Sequence, residues 1–253
     1  MRSSNEKWLT CRQPVPDAGL RLVCLPYAGG GASAYLPFTE LLGERVEVWG
    51  AQLPGRERRF ADPALTDIAE VAVPLARAIT ELVREPFALF GHSMGGLIAY
   101  EVTRLLERDG GPVPERLLVS ASRPPHRVLP GAPHELGDAG LVDWMTRLGG
   151  APAELLANAD LLALLLPTLR ADLALCADFF ASAEHEQVHV PITALAGDDD
   201  PLASAADVAQ WERWTSDRFD LRVLAGGHFY LNDDPRAVLS ALLDGAALQE
   251  GVA

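Results

Sequence analysis

A serine, a histidine and a carboxylate can jointly activate a hydroxyl. In this chain one of each follows an apolar run closed by glycine. Ser93 lies just past Gly91 in "LFGHSMGG", Asp200 just past Gly197 in "ITALAGDDDP", and His228 directly after Gly227 in "VLAGGHFYL". A serine hydroxyl attacks poorly until a base takes its proton, and the base needs an acid to orient it. Gly91-His92-Ser93-Met94-Gly95 sits between a strand pattern and a helical one. Glycine on both sides lets the backbone close a very sharp turn and lifts the hydroxyl above a sheet edge. A Gly-rich turn with an idle serine would show the same five letters. The strand before, the helix after and the partners elsewhere favour a nucleophile.

The chain has six histidines. His92 is beside the serine and should point away along the turn. His126, His134, His185 and His189 fall in or next to a purely helical stretch, where solvent-exposed roles are expected. His228 directly follows the last apolar strand pattern, and ligands of open α/β sheets gather at the carboxyl ends of strands. The acid should also follow a strand. No carboxylate follows "RLLVSAS", whereas three follow "ITALAG". Asp200 is the choice among them, because the chain must turn after Gly197 before it can aim an acid inward. Asp198 and Asp199 are expected to be solvated or to fix the loop. The order Ser93, Asp200, His228 is that of α/β-hydrolases.

Acyl transfer through a serine also needs donors for a developing oxyanion. The backbone N–H of Met94, the residue after the nucleophile, supplies one. The loop "PYAGGGAS" after the first parallel strand supplies the other, assigned to the N–H of Ala28. No lysine lies near that loop, so it does not read as a phosphate-binding loop.

The elements that must hold these groups alternate. Strands are read at 21–27, 46–54, 86–91, 116–122, 192–197 and 219–227, with an edge strand in "WLTCRQP". Helical periodicity follows most of them, including 67–83, where Pro74 should bend or break the helix, and "MGGLIAYEVTRLLER". Residues 123–190 carry only helical patterns, which fits a lid inserted into one α/β domain spanning 1–253. Strands alternating with helices imply a mostly parallel sheet covered on both faces.

Composition limits the partners. Hydrophobic residues make up 49% and charged residues 22%, as in ordinary globular proteins. The net charge of −14 disfavours binding to nucleic acid or anionic membranes. Cys11, Cys24 and Cys176 are too few and too scattered for a disulfide framework, so a reducing cytoplasm is expected. "MRSSNEKWLT" lacks the apolar core of a signal peptide, and no run is long enough to span a bilayer.

"LPYAGGGAS", "LPGRERR", "GHSMGG", "LPTLRADLAL", "GDDDPL" and "GGHFYL" occur in that order, and from about residue 20 to 245 the chain resembles type II thioesterases. These are stand-alone α/β-hydrolases that accompany modular polyketide and nonribosomal peptide synthases. The resemblance implies hydrolysis of acyl or aminoacyl thioesters on the phosphopantetheine arm of acyl or peptidyl carrier proteins, which are transient partners. It implies Ser93 as nucleophile, Asp200 as acid, His228 as base, and Ala28 and Met94 as oxyanion donors. No metal or organic cofactor is expected, since the phosphopantetheine belongs to the substrate, and a monomer is expected. A small-molecule carboxylesterase or lipase on the same fold is the alternative. A hydrolase-fold binding protein would have no need of the full set.

Two features keep open readings. Leu161, Leu162, Leu165, Leu166, Leu169 and Leu173 could pack the helical stretch onto the body or line an acyl channel. Arg56, Arg58 and Arg59 could dock an acidic carrier, but salt bridging with Glu57, Asp62 and neighbours is favoured.

Overall fold

The apolar runs pair into one sheet. The computed structural model describes residues 5–129, 131–150, 153–182 and 185–243. Its strands are β1 (Leu9–Cys11), β2 (Leu20–Leu25), β3 (Val46–Ala51), β4 (Phe87–His92), β5 (Leu117–Ser120), β6 (Ile192–Gly197) and β7 (Phe219–Leu224). They lie in the order β1-β3-β2-β4-β5-β6-β7, all parallel except β1, which runs antiparallel to β3 at one edge. The edge strand read in "WLTCRQP" is therefore present.

Helices cover both faces. They are α1 (Leu36–Leu42), α2 (Ile68–Leu82), α3 (Met94–Arg108), α4 (Asp138–Arg147), α5 (Ala153–Leu156), α6 (Ala159–Ala181), α7 (Ala205–Val208), α8 (Tyr230–Asp233) and α9 (Pro235–Leu243). Period-two alternation sorts the strand residues. Val23, Leu25, Leu89 and Val119 meet α2 and α3 on one face, whereas Leu22, Cys24, Phe90 and Leu118 meet α1 and α9 on the other. Two-sided burial accounts for strands that read as unbroken apolar runs rather than as alternating ones.

The chain lays β3 on one side of β2 and then returns to place β4 on the other. This reversal opens a crevice outside the carboxyl ends of β2 and β4, the usual ligand site of an open α/β sheet. Leu25 pairs with Gly91, so the loop carrying Ala28 and the turn carrying Ser93 leave the sheet side by side. The architecture is the α/β-hydrolase fold.

Two helices carry an internal proline. Pro74 does not break α2, which runs from Ile68 to Leu82 with Asp67 capping its start by accepting from Ala69 N and Glu70 N. The hydrogen bond that Pro74 cannot donate leaves the carbonyl of Glu70 free, and Glu70 is exposed, so water can take that role. In α6, Pro167 is likewise internal. The helical pattern "DPRAVLSALLDGAAL" that follows the last strand is seen as α9, and its residues 244–248 lie outside the described residues. Among the described residues, no helix is long and apolar enough to cross a membrane.

The long α6 has two environments. Leu161 and Leu164, near its start, are exposed. Leu166, Leu169 and Leu173 pack with Leu141 and Met145 of α4. Leu175, Cys176 and Phe179 join the main core beneath. Phe179→Ala should therefore cost about 3–5 kcal/mol of unfolding free energy. Leu164→Ala should stay within about 0.5 kcal/mol of wild type. Urea unfolding of the two variants checks the contrast.

Candidate active site

Ser93 occupies the turn between β4 and α3 with φ 54° and ψ −118°. A non-glycine residue in this left-handed region is strained and persists only where its surroundings impose it. Those surroundings are backbone. A Cβ on Gly91 would lie 2.0 Å from the Gly95 carbonyl oxygen, and one on Gly95 would lie 2.0 Å from the Leu25 carbonyl oxygen. The two glycines thus bring the start of α3 against both its own strand and β2. Ala121, after the neighbouring β5, is also left-handed, with φ 47°.

The predicted partners converge on this turn. Ser93 Oγ lies 3.0 Å from His228 Nε2, and His228 Nδ1 lies 2.9 Å from Asp200 Oδ2. A carboxylate only accepts, so the proton sits on Nδ1 and the lone pair of Nε2 faces the hydroxyl. Asp200 Oδ1 accepts from the N–H groups of Leu202 and Ala203, at 2.8 and 3.1 Å, which fixes the carboxylate. Of the three aspartates after β6, Asp200 alone is buried. Asp198 accepts from Gly226 N at 2.8 Å, and Asp199 N donates to the Gly226 carbonyl at 3.1 Å. These two stitch the acid loop to the histidine loop.

His92 points into the protein, as read, and has a part the sequence did not disclose. Its Nε2 donates to the backbone carbonyl of His228 at 2.9 Å. Because a carbonyl only accepts, Nδ1 is the bare nitrogen and accepts from Ser120 Oγ, also at 2.9 Å. The Ser120 proton is then committed, so Tyr230 Oη must donate to Ser120 Oγ across 2.5 Å. This directed chain, buried throughout, holds the backbone of His228 from below.

Above the turn lies a cavity of about 280 Å³ lined by Ser93, Met94, His228 and Ala28 among others. Met145, Leu155, Leu165, Leu169, Phe180 and Phe229 make its walls largely apolar. Of the leucine stripe, Leu165, Leu169 and Leu173 line the cavity, as one reading had it, while Leu166, Leu169 and Leu173 pack on α4 within the same helical stretch and Leu161 is exposed. Met94 opens α3, where the first N–H groups have no helical acceptor. Among the described residues, no protein group takes the Ala28 N–H. No cluster of three or more His, Cys, Asp or Glu suited to a metal occurs among them either.

The model of the thioesterase domain family matches residues 20–244. The chain belongs to that family. This thioesterase is 38% identical over 245 residues to thioesterase PikA5 of Streptomyces venezuelae, covering 96% of this chain and 87% of the relative. Among solved structures it resembles RedJ, a thioesterase from the prodiginine biosynthetic pathway of Streptomyces coelicolor. That match has a TM-score of 0.84 and 38% identity and covers 90% of each chain. It also resembles BorB, the type II thioesterase from the borrelidin biosynthetic cluster, with a TM-score of 0.85 and 35% identity over 96% of this chain and 99% of that one. The resemblance to type II thioesterases read from the motifs is borne out.

Other sequence readings of the thioesterase divide. His126 is exposed, accepts from Trp214 Nε1 at 2.9 Å and sits 2.8 Å from Gln210, and His189 is an exposed partner of Glu107. His134 is only half-exposed, and His185 is half-buried against Phe179 and Tyr100; apolar neighbours rather than solvent set its place. Trp211 is buried packing, and burial pushes the Cys24 thiol well up. Arg59 bridges Asp62 as favoured, but Arg56 turns from Glu57 to Asp172 on α6. Glu57 instead accepts from Ser33 and Gln52. Ser120, Tyr230 and Asp172 were missed; of the three only Ser120, the polar residue that closes the apolar run of β5, left a signal in the sequence.

Burial, and then repulsion from His228, holds the His92 imidazole well below its ordinary value of 6.5. The folded protein therefore keeps this ring neutral where the unfolded chain takes up a proton. The stabilisation is complete above pH 6.5 and is lost as pH falls below it. The urea midpoint should drop between pH 7 and pH 5. In His92→Gln, which retains a donor for the His228 carbonyl, that drop should be shallower, as parallel titrations at each pH would show.

Proposed function

We propose that this thioesterase hydrolyses acyl or aminoacyl thioesters on the phosphopantetheine arm of carrier proteins, clearing stalled or wrongly primed units from a polyketide or nonribosomal peptide synthase. The observation that carries the reading is the unbroken hydrogen-bonded chain Ser93–His228–Asp200 beneath an apolar cavity. The borrelidin-cluster and prodiginine-pathway relatives support the substrate class. A reducing cytoplasm suits the free cysteines.

In this mechanism His228 Nε2 takes the Ser93 proton as Oγ attacks the thioester carbonyl. Asp200 holds the imidazole in its reactive tautomer and balances the imidazolium. The N–H groups of Met94 and Ala28 receive the oxyanion, an interaction that strengthens as charge develops. Collapse of the tetrahedral adduct expels the pantetheine thiol, which takes the proton from His228. A water then gives its proton to the same nitrogen and attacks the acyl-serine. The second collapse returns a proton to Ser93 and releases the acid. The helices between 123 and 190 act as a lid, and their leucines shelter the acyl chain from water.

Ser93→Ala should lower turnover by up to about 10⁶ with the fold intact. Asp200→Asn should cost about 10⁴, and Asp198→Asn should stay near wild type. Stopped assays with circular dichroism controls measure all three. Offered acyl-loaded carrier proteins beside matched free thioesters and oxoesters, the enzyme should prefer the carrier-bound thioester. A marked preference for simple oxoesters would show a carboxylesterase instead.

A further inference from the structure

One buried ion pair joins three segments that are remote in sequence. Arg56, in the loop after β3, grips Asp172 of α6 through both terminal nitrogens, at 2.7 and 2.6 Å. Its other donors go to the carbonyls of Gly30 and Pro54, at 2.9 and 3.1 Å. Asp172 also accepts the Gly29 N–H at 2.7 Å. Both side chains are nearly inaccessible, at 8% and 2% exposure. Removing such a pair from water is costly and is offset where further protons and lone pairs find partners, as Arg56 Nε, the second Nη1 proton and Asp172 Oδ2 do here.

The geometry places this pair behind the loop that carries Ala28. The Gly29 N–H is drawn towards α6 by Asp172, and the Gly30 carbonyl is drawn back by Arg56. On the near side, Tyr35 Oη donates to the Leu25 carbonyl at 2.6 Å, and Gly30 N donates to the Tyr27 carbonyl at 2.9 Å. The peptide between Tyr27 and Ala28 is thus bracketed by fixed neighbours, and among the described residues its N–H has no protein partner. Asp172 also sits among Leu169, Leu173 and Cys176, which line the cavity, so the wall of the chamber and this clamp share one helix.

We propose that Arg56 and Asp172 form a positioning pair that aims the Ala28 N–H at the oxyanion, with α6 as its anchor. The inference rests on the reading of Ser93 as nucleophile and Ala28 as donor. A positioning pair acts on the transition state, not on ground-state binding. Arg56 also neutralises a carboxylate that would otherwise oppose negative charge developing nearby.

Two probes separate the states: an acyl trifluoromethyl ketone, which forms a tetrahedral oxyanion on a serine, and the matching acyl amide, which does not react. They are tested on wild type, Asp172→Asn and Arg56→Lys, together with kcat and KM for an acyl-N-acetylcysteamine thioester and thermal melts. The clamp variants should bind the ketone about 10–100-fold more weakly and lose kcat by a similar factor. Amide affinity and KM should be unchanged. Equal weakening of both probes, or wild-type binding of both, overturns the inference. Where Asp172→Asn does not fold, Arg56→Lys and the uncharged double variant Arg56→Gln/Asp172→Asn carry the comparison. Retained turnover in Ser93→Ala removes the active-site reading and the inference together. An inactive Ser93→Ala beside clamp variants that behave as wild type removes the inference alone.

Discussion

Backbone packed against backbone at the end of β4 is the constraint on which the rest of the site depends. With Gly91 against the Gly95 carbonyl and Gly95 against the Leu25 carbonyl, no side chain can intervene, and Ser93 is driven into left-handed φ. The strain is tolerable because β4 is paired on both sides and α3 is buried along most of its length. The reversal in strand order then sets this turn beside the loop after β2, and the loops after β6 and β7 close from the other side. Each element brings one group, and none could be moved without reordering the sheet.

Around this point two buried polar assemblies lie beside the Ser93–His228–Asp200 chain. One runs from Tyr230 through Ser120 and His92 to the carbonyl of His228. The other runs from Arg56 through Asp172 to the amide of Gly29. Both end on main chain rather than on a side chain of the relay. Main chain is what must be held still, because loops carry both His228 and Ala28 and loops are the mobile parts of such folds. Every donor and acceptor in the first assembly has a determined direction, which leaves a single arrangement of protons.

Much of this was legible in the sequence. Strand runs, glycine stops and the order of the three polar residues located the sheet, the turn and the three side chains that converge there, because each rests on local chemistry. Asp200 could be picked from three neighbours, since only a residue past the turn can aim inward. The clamp was not legible. Arg56 and Asp172 are 116 positions apart, and nothing in "LPGRERR" distinguishes a buried arginine from a solvated one. Pro74 does not break α2, of the two outcomes local propensity offered, because burial of the helix on the sheet outweighs one absent hydrogen bond. The division of α6 between cavity wall and core was likewise hidden, since its leucines face both.

The bond from His92 to the carbonyl of residue 228 has a mechanical meaning. Two adjacent residues at the end of β4, His92 and Ser93, hold both the hydroxyl and the backbone of the imidazole that faces it. The Ser93 hydroxyl and the His228 imidazole therefore share one mount, which ties their separation to the middle of the sheet. The carboxylate of Asp200 hangs from a separate loop and meets the far side of the ring, where it bears on the ring's orientation rather than on its distance from the hydroxyl.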